Sequence, residues 1–130
     1  MQRTKTGAGV FLLALALVPA TLATAGKFHP AEVKVTGYEL GFFEGQVRSD
    51  FRLCQEKRRV ELWEDHSDVS DSLLGTKRTA GDGSWSISDT DGTGGDFYAV
   101  ATHKEGKYRK RNGKRKPYDC PEAVSEIFVR

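Results

Sequence analysis

Beyond residue 26, apolar side chains never recur at helical spacing for three turns. They alternate with polar ones in short runs set between Gly-, Asp- and Asn-containing turns, which is the pattern of half-buried strands. Residues 32–40 place Val33 and Val35 on one face, and residues 43–48 form a second run. In residues 58–64, Val60 and Leu62 share one face while Arg59 and Glu61 share the other. Trp63 breaks that alternation, which points to a rim or a bulge. Residues 97–103 are apolar on both faces, so this strand is expected at the centre of a sheet. A last run covers residues 123–129.

Between these lie residues 73–79 and 85–88, joined by Ala80-Gly81-Asp82-Gly83-Ser84. Asp-Gly and a second Gly supply positive φ angles, so the two runs read as a hairpin. Seven strands in about 100 residues match the content of an immunoglobulin-like sandwich. The expected fold class is all-β, in a single domain over residues 26–130.

The first 25 residues change the picture of where this domain works. Arg3 and Lys5 precede an apolar run from Val10 to Leu22, which ends at Ala23-Thr24-Ala25, a small-x-small cleavage pattern. At 13 residues the run is short of the roughly 20 that span a bilayer. Residues 1–25 are therefore expected to be a signal peptide and the domain to be secreted, with no transmembrane segment after processing. No Cys lies near the cut, which excludes a lipid anchor there. Residues 26–130 hold 18 basic and 18 acidic side chains, so their formal net charge is zero. Two cysteines, Cys54 and Cys120, allow one pairing, and in an exported chain an even count reads first as a disulfide. Two free thiols or a metal pair are the alternatives, but no His or Cys lies at ligand spacing beside either one.

Several segments together resemble carboxypeptidase regulatory-like, or transthyretin-like (prealbumin-like), β-sandwich modules of secreted bacterial proteins, actinobacterial ones in particular. They are Phe43-Glu44-Gly45-Gln46-Val47, Cys54 followed by Arg59-Val60-Glu61-Leu62, Leu74-Gly75, and Thr79 to Asp82-Gly83-Ser84-Trp85. Gly95-Asp96-Phe97-Tyr98-Ala99 and Cys120-Pro121-Glu122-Ala123-Val124-Ser125 complete the set. The resemblance covers residues 42–130. It implies a seven-stranded prealbumin-like sandwich with a bridge from Cys54 to Cys120, and it is nearly silent on function. Transthyretin-like hydrolases of hydroxyisourate carry a Tyr-Arg-Gly-Ser motif, whereas this chain reads Ile127-Phe128-Val129-Arg130.

Enzyme chemistry finds little support in the residues. There is no Gly-x-Ser-x-Gly elbow to raise a nucleophile, and His29, His66 and His103 are scattered. Tyr108 and Tyr118 are two of the four ligands that a dioxygenase iron would need, without a His pair beside them. Glu64-Asp65-His66-Ser67-Asp68 could hold a cation but reads better as a solvated acidic loop. His29 would chelate copper only if cleavage made it the third residue. Residues 89–96, Asp-Thr-Asp-Gly-Thr-Gly-Gly-Asp, fail as an EF-hand, because position 5 is Thr93 and position 12 is Val100. No catalytic residue, cofactor or metal site is expected, and the protein is expected to be a monomer and not an enzyme. A small hydrolase and a metal-binding protein are the remote alternatives.

The strongest local feature is basic. Lys104, Lys107, Arg109, Lys110, Arg111, Lys114, Arg115 and Lys116 fall within 13 residues, opposed only by Glu105. Asn112-Gly113 predicts a turn at the middle, hence a protruding hairpin. Such a field attracts polyanions: an anionic glycan, a cell-wall polymer or nucleic acid. Tyr108 and Tyr118 could stack on bases or sugars. The competing reading is a solubilising segment that keeps a sheet edge from pairing, with a protein partner met through a sheet edge.

Overall fold

A computed structural model describes residues 27–89 and 94–130. The expected signal peptide at residues 1–25 and residues 90–93 of the Asp/Gly loop lie outside this range. The strands are β1 (Lys27–Phe28), β2 (Ala31–Glu39), β3 (Phe42–Ser49), β4 (Arg59–Glu64), β5 (Ser72–Arg78), β6 (Ser84–Ser88), β7 (Asp96–Ala101), β8 (Lys104–Arg109), β9 (Arg115–Cys120), β10 (Ala123–Val124) and β11 (Phe128–Val129). One 3₁₀ turn, Arg52–Cys54, precedes β4.

The chain is all-β, but it has eleven strands among the described residues where seven were expected. The basic segment itself supplies β8 and β9, and β1 pairs beside β9. The last run is split into β10 and β11. Ser125 causes the break, because its hydroxyl accepts the Ala99 N–H at 2.8 Å and its side chain stands in for a ladder carbonyl.

Strands β2-β3-β6 form one sheet, and β10-β7-β4-β5, with β11 also on β7, form a second. The first contributes Val33, Phe43, Val47, Trp85 and Ile87 to a shared core, and the second contributes Val60, Leu62, Phe97, Ala99 and Ala101. Each large member of that set is worth about 1.5–3 kcal/mol when fully buried. The alternation read in β4 holds: Val60 and Leu62 are buried while Arg59 faces solvent. β7 takes the central place expected of it, between β4 on one side and β10 and β11 on the other. Trp63 sits where the β4–β5 register slips. At one end of the core the Arg130 guanidinium lies over the Tyr38, Phe43 and Phe97 rings and donates to Asp89.

The expected hairpin of residues 73–79 and 85–88 is corrected. β5 pairs with β4, and β6 pairs with β3 in the other sheet. The turn is present, with Gly83 at φ 86° and its N–H bonded to Ala80 O at 2.9 Å. It reverses the chain while crossing between sheets, because both strands need their apolar face toward the same core.

A third sheet, β1-β9-β8, extends from this body. Its inner face covers a small second cluster of Cys54, Tyr118 and Cys120, with Phe51, Leu53 and Tyr108 against it. Cys54 and Cys120 are bridged, with Cα atoms 5.5 Å apart. Closing a loop of this length contributes about 4 kcal/mol in the chain-entropy model.

Candidate polyanion-binding hairpin

The basic segment is an antiparallel hairpin. Its register pairs Lys104 with Cys120, Glu105 with Asp119, Gly106 with Tyr118, Lys107 with Pro117, Tyr108 with Lys116 and Arg109 with Arg115. The turn is closed by Lys110 N to Lys114 O at 2.7 Å and Gly113 N to Lys110 O at 2.9 Å. Gly113 takes φ 87°, the left-handed conformation that admits glycine at no steric cost, and Asn112 Oδ1 accepts the Lys114 N–H. Asn112-Gly113 therefore does at the tip what its chemistry predicts.

Residues paired across the strands share a face. On the inner face, Tyr108 and Tyr118 pack on Phe51, with ring centroids 5.3 and 5.4 Å away. Gly106 makes this possible, since a Cβ there would come within 2.8 Å of the Tyr118 hydroxyl. Buried Tyr118 is thus a structural ring and not a platform for bases or sugars. On the outer face Lys107, Arg109 and Arg115 stand in solvent, and Lys110, Arg111, Lys114 and Lys116 are exposed around and beside the turn. Among the described residues none of these seven cations is in an ion pair.

Lys104 does not join them. Its Nζ donates to Leu53 O at 2.6 Å and to Glu56 O at 3.0 Å, which ties the hairpin to the end of the 3₁₀ turn. Burial lowers its pKa below the ordinary lysine value, with the Glu56 carboxylate opposing that fall. Beside it, Arg58 is fully buried and donates to Thr102 O, Cys54 O and Pro121 O at 2.7, 2.8 and 2.7 Å. Desolvation lowers its pKa too. Sequence reading assigned Arg58 no part in the site, yet it holds both ends of the hairpin and the bridged Cys54 at one point.

Apart from Glu105 and Asp119 at its root, the hairpin carries no acid, and a separate acidic loop lies elsewhere. The loop after β4 carries Asp65, Asp68 and Asp71, and Asp65 N bonds to Asp96 O at the start of β7. The hairpin leaves from the other end of β7, so the basic and acidic ends stand roughly 17 Å apart along the strands. In the acidic loop the Tyr98 hydroxyl donates to Asp71 at 2.5 Å, and Asp71 also accepts the His66 N–H. These bonds hold the Asp71 carboxyl below its ordinary pKa and push the Tyr98 hydroxyl up to about 12. His66 Nε2 lies 3.0 Å from Ser72 Oγ. Glu64 Oε1 is 3.8 Å from the same nitrogen, so His66 belongs to a hydrogen-bonded loop with one carboxylate of the Glu64–Asp68 run beside its ring.

His29 stacks on Phe51, with ring centroids 3.9 Å apart. Gly26, whose removal the copper reading would need, is outside the described range. Among the described residues, His103 is the one histidine whose ring nitrogen forms a convergent group with two carboxylates, Glu105 and Asp119. The signal for that was the turn: centring the hairpin on residues 110–114 sets 105 opposite 119. No protein-family model, curated protein or solved structure matches this chain.

Proposed function

We propose that this is a secreted, non-catalytic, prealbumin-like sandwich module that binds polyanions through the hairpin of residues 104–116. The observation that carries the reading is the set of seven exposed cations, without an ion pair among the described residues, on a hairpin whose root is tied by a disulfide, the buried Arg58 and the half-buried Lys104. Like charges this dense repel one another, and a phosphate- or sulfate-bearing polymer relieves that repulsion while releasing its own counterions. Arg109, Arg111 and Arg115 can grip such groups bidentately, while the lysines supply point charge. The disulfide supports an oxidising, extracellular setting. No helix among the described residues is long and apolar enough to cross a membrane.

A protein partner met through a sheet edge is the second reading. β8 is the outer strand of its sheet, which offers an edge. Lys107 and Arg109 along that strand are the kind of charge that deters edge-to-edge pairing, and this favours the polyanion.

Heparin resin decides between them. The wild-type domain is expected to stay bound above physiological salt, with affinity falling steeply as salt rises. The triple variant Arg109→Glu, Lys110→Glu, Arg111→Glu is expected to flow through. Wild-type elution at or below physiological salt would leave the hairpin a solubilising device.

A further inference from the structure

The outer face of the hairpin changes character at its root. Glu105 and Asp119 are direct cross-strand partners, an arrangement in which like charges destabilise a sheet unless something lies between them. His103, just before β8, reaches the same spot. Its Nε2 is 2.5 Å from Asp119 Oδ1 and 4.0 Å from Glu105 Oε2, and one ligand atom from each of the three lies within 4.8 Å of the others.

We propose that His103, Glu105 and Asp119 form a mononuclear site for a borderline divalent cation, Zn²⁺ in the first place. An imidazole nitrogen and two carboxylate oxygens suit such ions. Calcium, which takes six to eight oxygens, is poorly served by two carboxylates and an imidazole. Zinc bonds of about 2.0–2.2 Å in tetrahedral geometry place ligand atoms roughly 3.3 Å apart. The two spacings to His103 straddle that value, and rotation of its ring and of the Glu105 carboxylate is the adjustment a bound ion would require. Solvent leaves room for that adjustment: the His103 and Glu105 side chains are 52% and 73% exposed. Asp119 is the fixed ligand, at 16% exposure on a strand paired from both sides. The two carboxylates neutralise the dication, and three protein ligands leave a position open to water or an outside donor. The hairpin's own cations do not forbid this. Arg109 and Arg115 stand roughly 14 Å along the strands from Glu105 and Asp119, beyond the screening length of about 8 Å at physiological salt; Lys107 is the near neighbour. None of the three ligands is among the seven exposed cations, so this site stands or falls apart from the polyanion reading.

Calorimetric titration of the disulfide-bonded protein with Zn²⁺ alone tests it, paired with the visible spectrum of the Co²⁺-loaded form. The wild type is expected to bind one equivalent with a dissociation constant on the order of micromolar, and cobalt to show the intense bands of low coordination. His103→Ala and Glu105→Gln, both at exposed positions, are each expected to weaken zinc by at least about tenfold and to lose the cobalt bands. His66→Ala, at the other histidine flanked by acids, is expected to bind as the wild type does. Absence of saturable wild-type binding below about 1 mM overturns the site. So does undiminished binding by His103→Ala or Glu105→Gln, or loss of binding in His66→Ala.

Discussion

The root and the tip of one hairpin use the same residue types for opposite ends. At the root, Arg58 and Lys104 are turned inward and between them engage five backbone carbonyls. At the tip, Arg109, Lys110, Arg111, Lys114 and Arg115 face solvent. A cation ringed by carbonyl oxygens has exchanged its hydration for fixed dipoles and belongs to the fold. A cation left in water at high local charge density keeps its hydration and is available to a ligand. What separates the two classes is the position of backbone from distant segments, not residue type or local charge. The root must be rigid for the tip to present its charge in one place, and the buried Arg58 and half-buried Lys104 with the Cys54–Cys120 bridge provide that rigidity.

The largest effect is expected at the centre of the root. Arg58→Ala removes three short hydrogen bonds and leaves one buried and two half-buried carbonyls, with a void. Each unsatisfied buried polar group costs about 1–3 kcal/mol, so a loss of roughly 3–5 kcal/mol is expected, at the high end for single substitutions. Urea unfolding under oxidising conditions measures it. A loss below about 1 kcal/mol would erase the distinction between root and tip.

How far the sequence could be read follows the same division. The strands were legible because alternation is local: Val60 and Leu62 against Arg59 and Glu61 is a statement about neighbours. The β5–β6 turn was legible as a reversal, but turn residues do not say which sheet the chain enters next. The tip was legible because Asn112-Gly113 fixes a turn and the flanking charges have no acid nearby. The root was not. Leu53, Glu56, Thr102 and Pro121 accept through backbone carbonyls, which every residue possesses, so no residue type marks Arg58 or Lys104 as structural. The His103, Glu105 and Asp119 grouping falls between these cases, since it becomes visible only when the hairpin register is carried back from the turn.

A second, smaller effect is expected at Lys104, where the distinction takes a pH-dependent form. Lys104→Met keeps the aliphatic stem and loses two hydrogen bonds to carbonyls, at a cost of about 1–2 kcal/mol. Burial holds the folded-state pKa of Lys104 below the ordinary 10.5, so the charged form is the one the fold disfavours. The stability this group contributes is therefore fully present above 10.5 and declines as pH falls through its lowered pKa. The gap between wild type and Lys104→Met should widen as pH is raised toward 10.5 in parallel denaturant titrations. A gap that narrows with rising pH would mean the ammonium is stabilised at the root, and the desolvation account would fail.

The smallest effect is expected at the tip, and its sign is the informative part. Arg109 and Arg115 are direct cross-strand partners, and like charges so placed destabilise a sheet. Arg115→Glu converts the pair into opposite charges and should raise stability by about 0.2–1 kcal/mol. The same change lowers the local charge by two and removes one bidentate phosphate or sulfate ligand, so retention on heparin should shift to lower salt. Stability and binding would then move in opposite directions from one substitution, which is the mark of a residue kept for a ligand at a cost to the fold. Arg115→Lys separates shape from charge, since it should leave stability nearly unchanged and weaken retention less than the glutamate does. If Arg115→Glu were to destabilise the domain, as Arg58→Ala is expected to, the tip would be part of the structural scaffold and its charge would need no ligand to explain it.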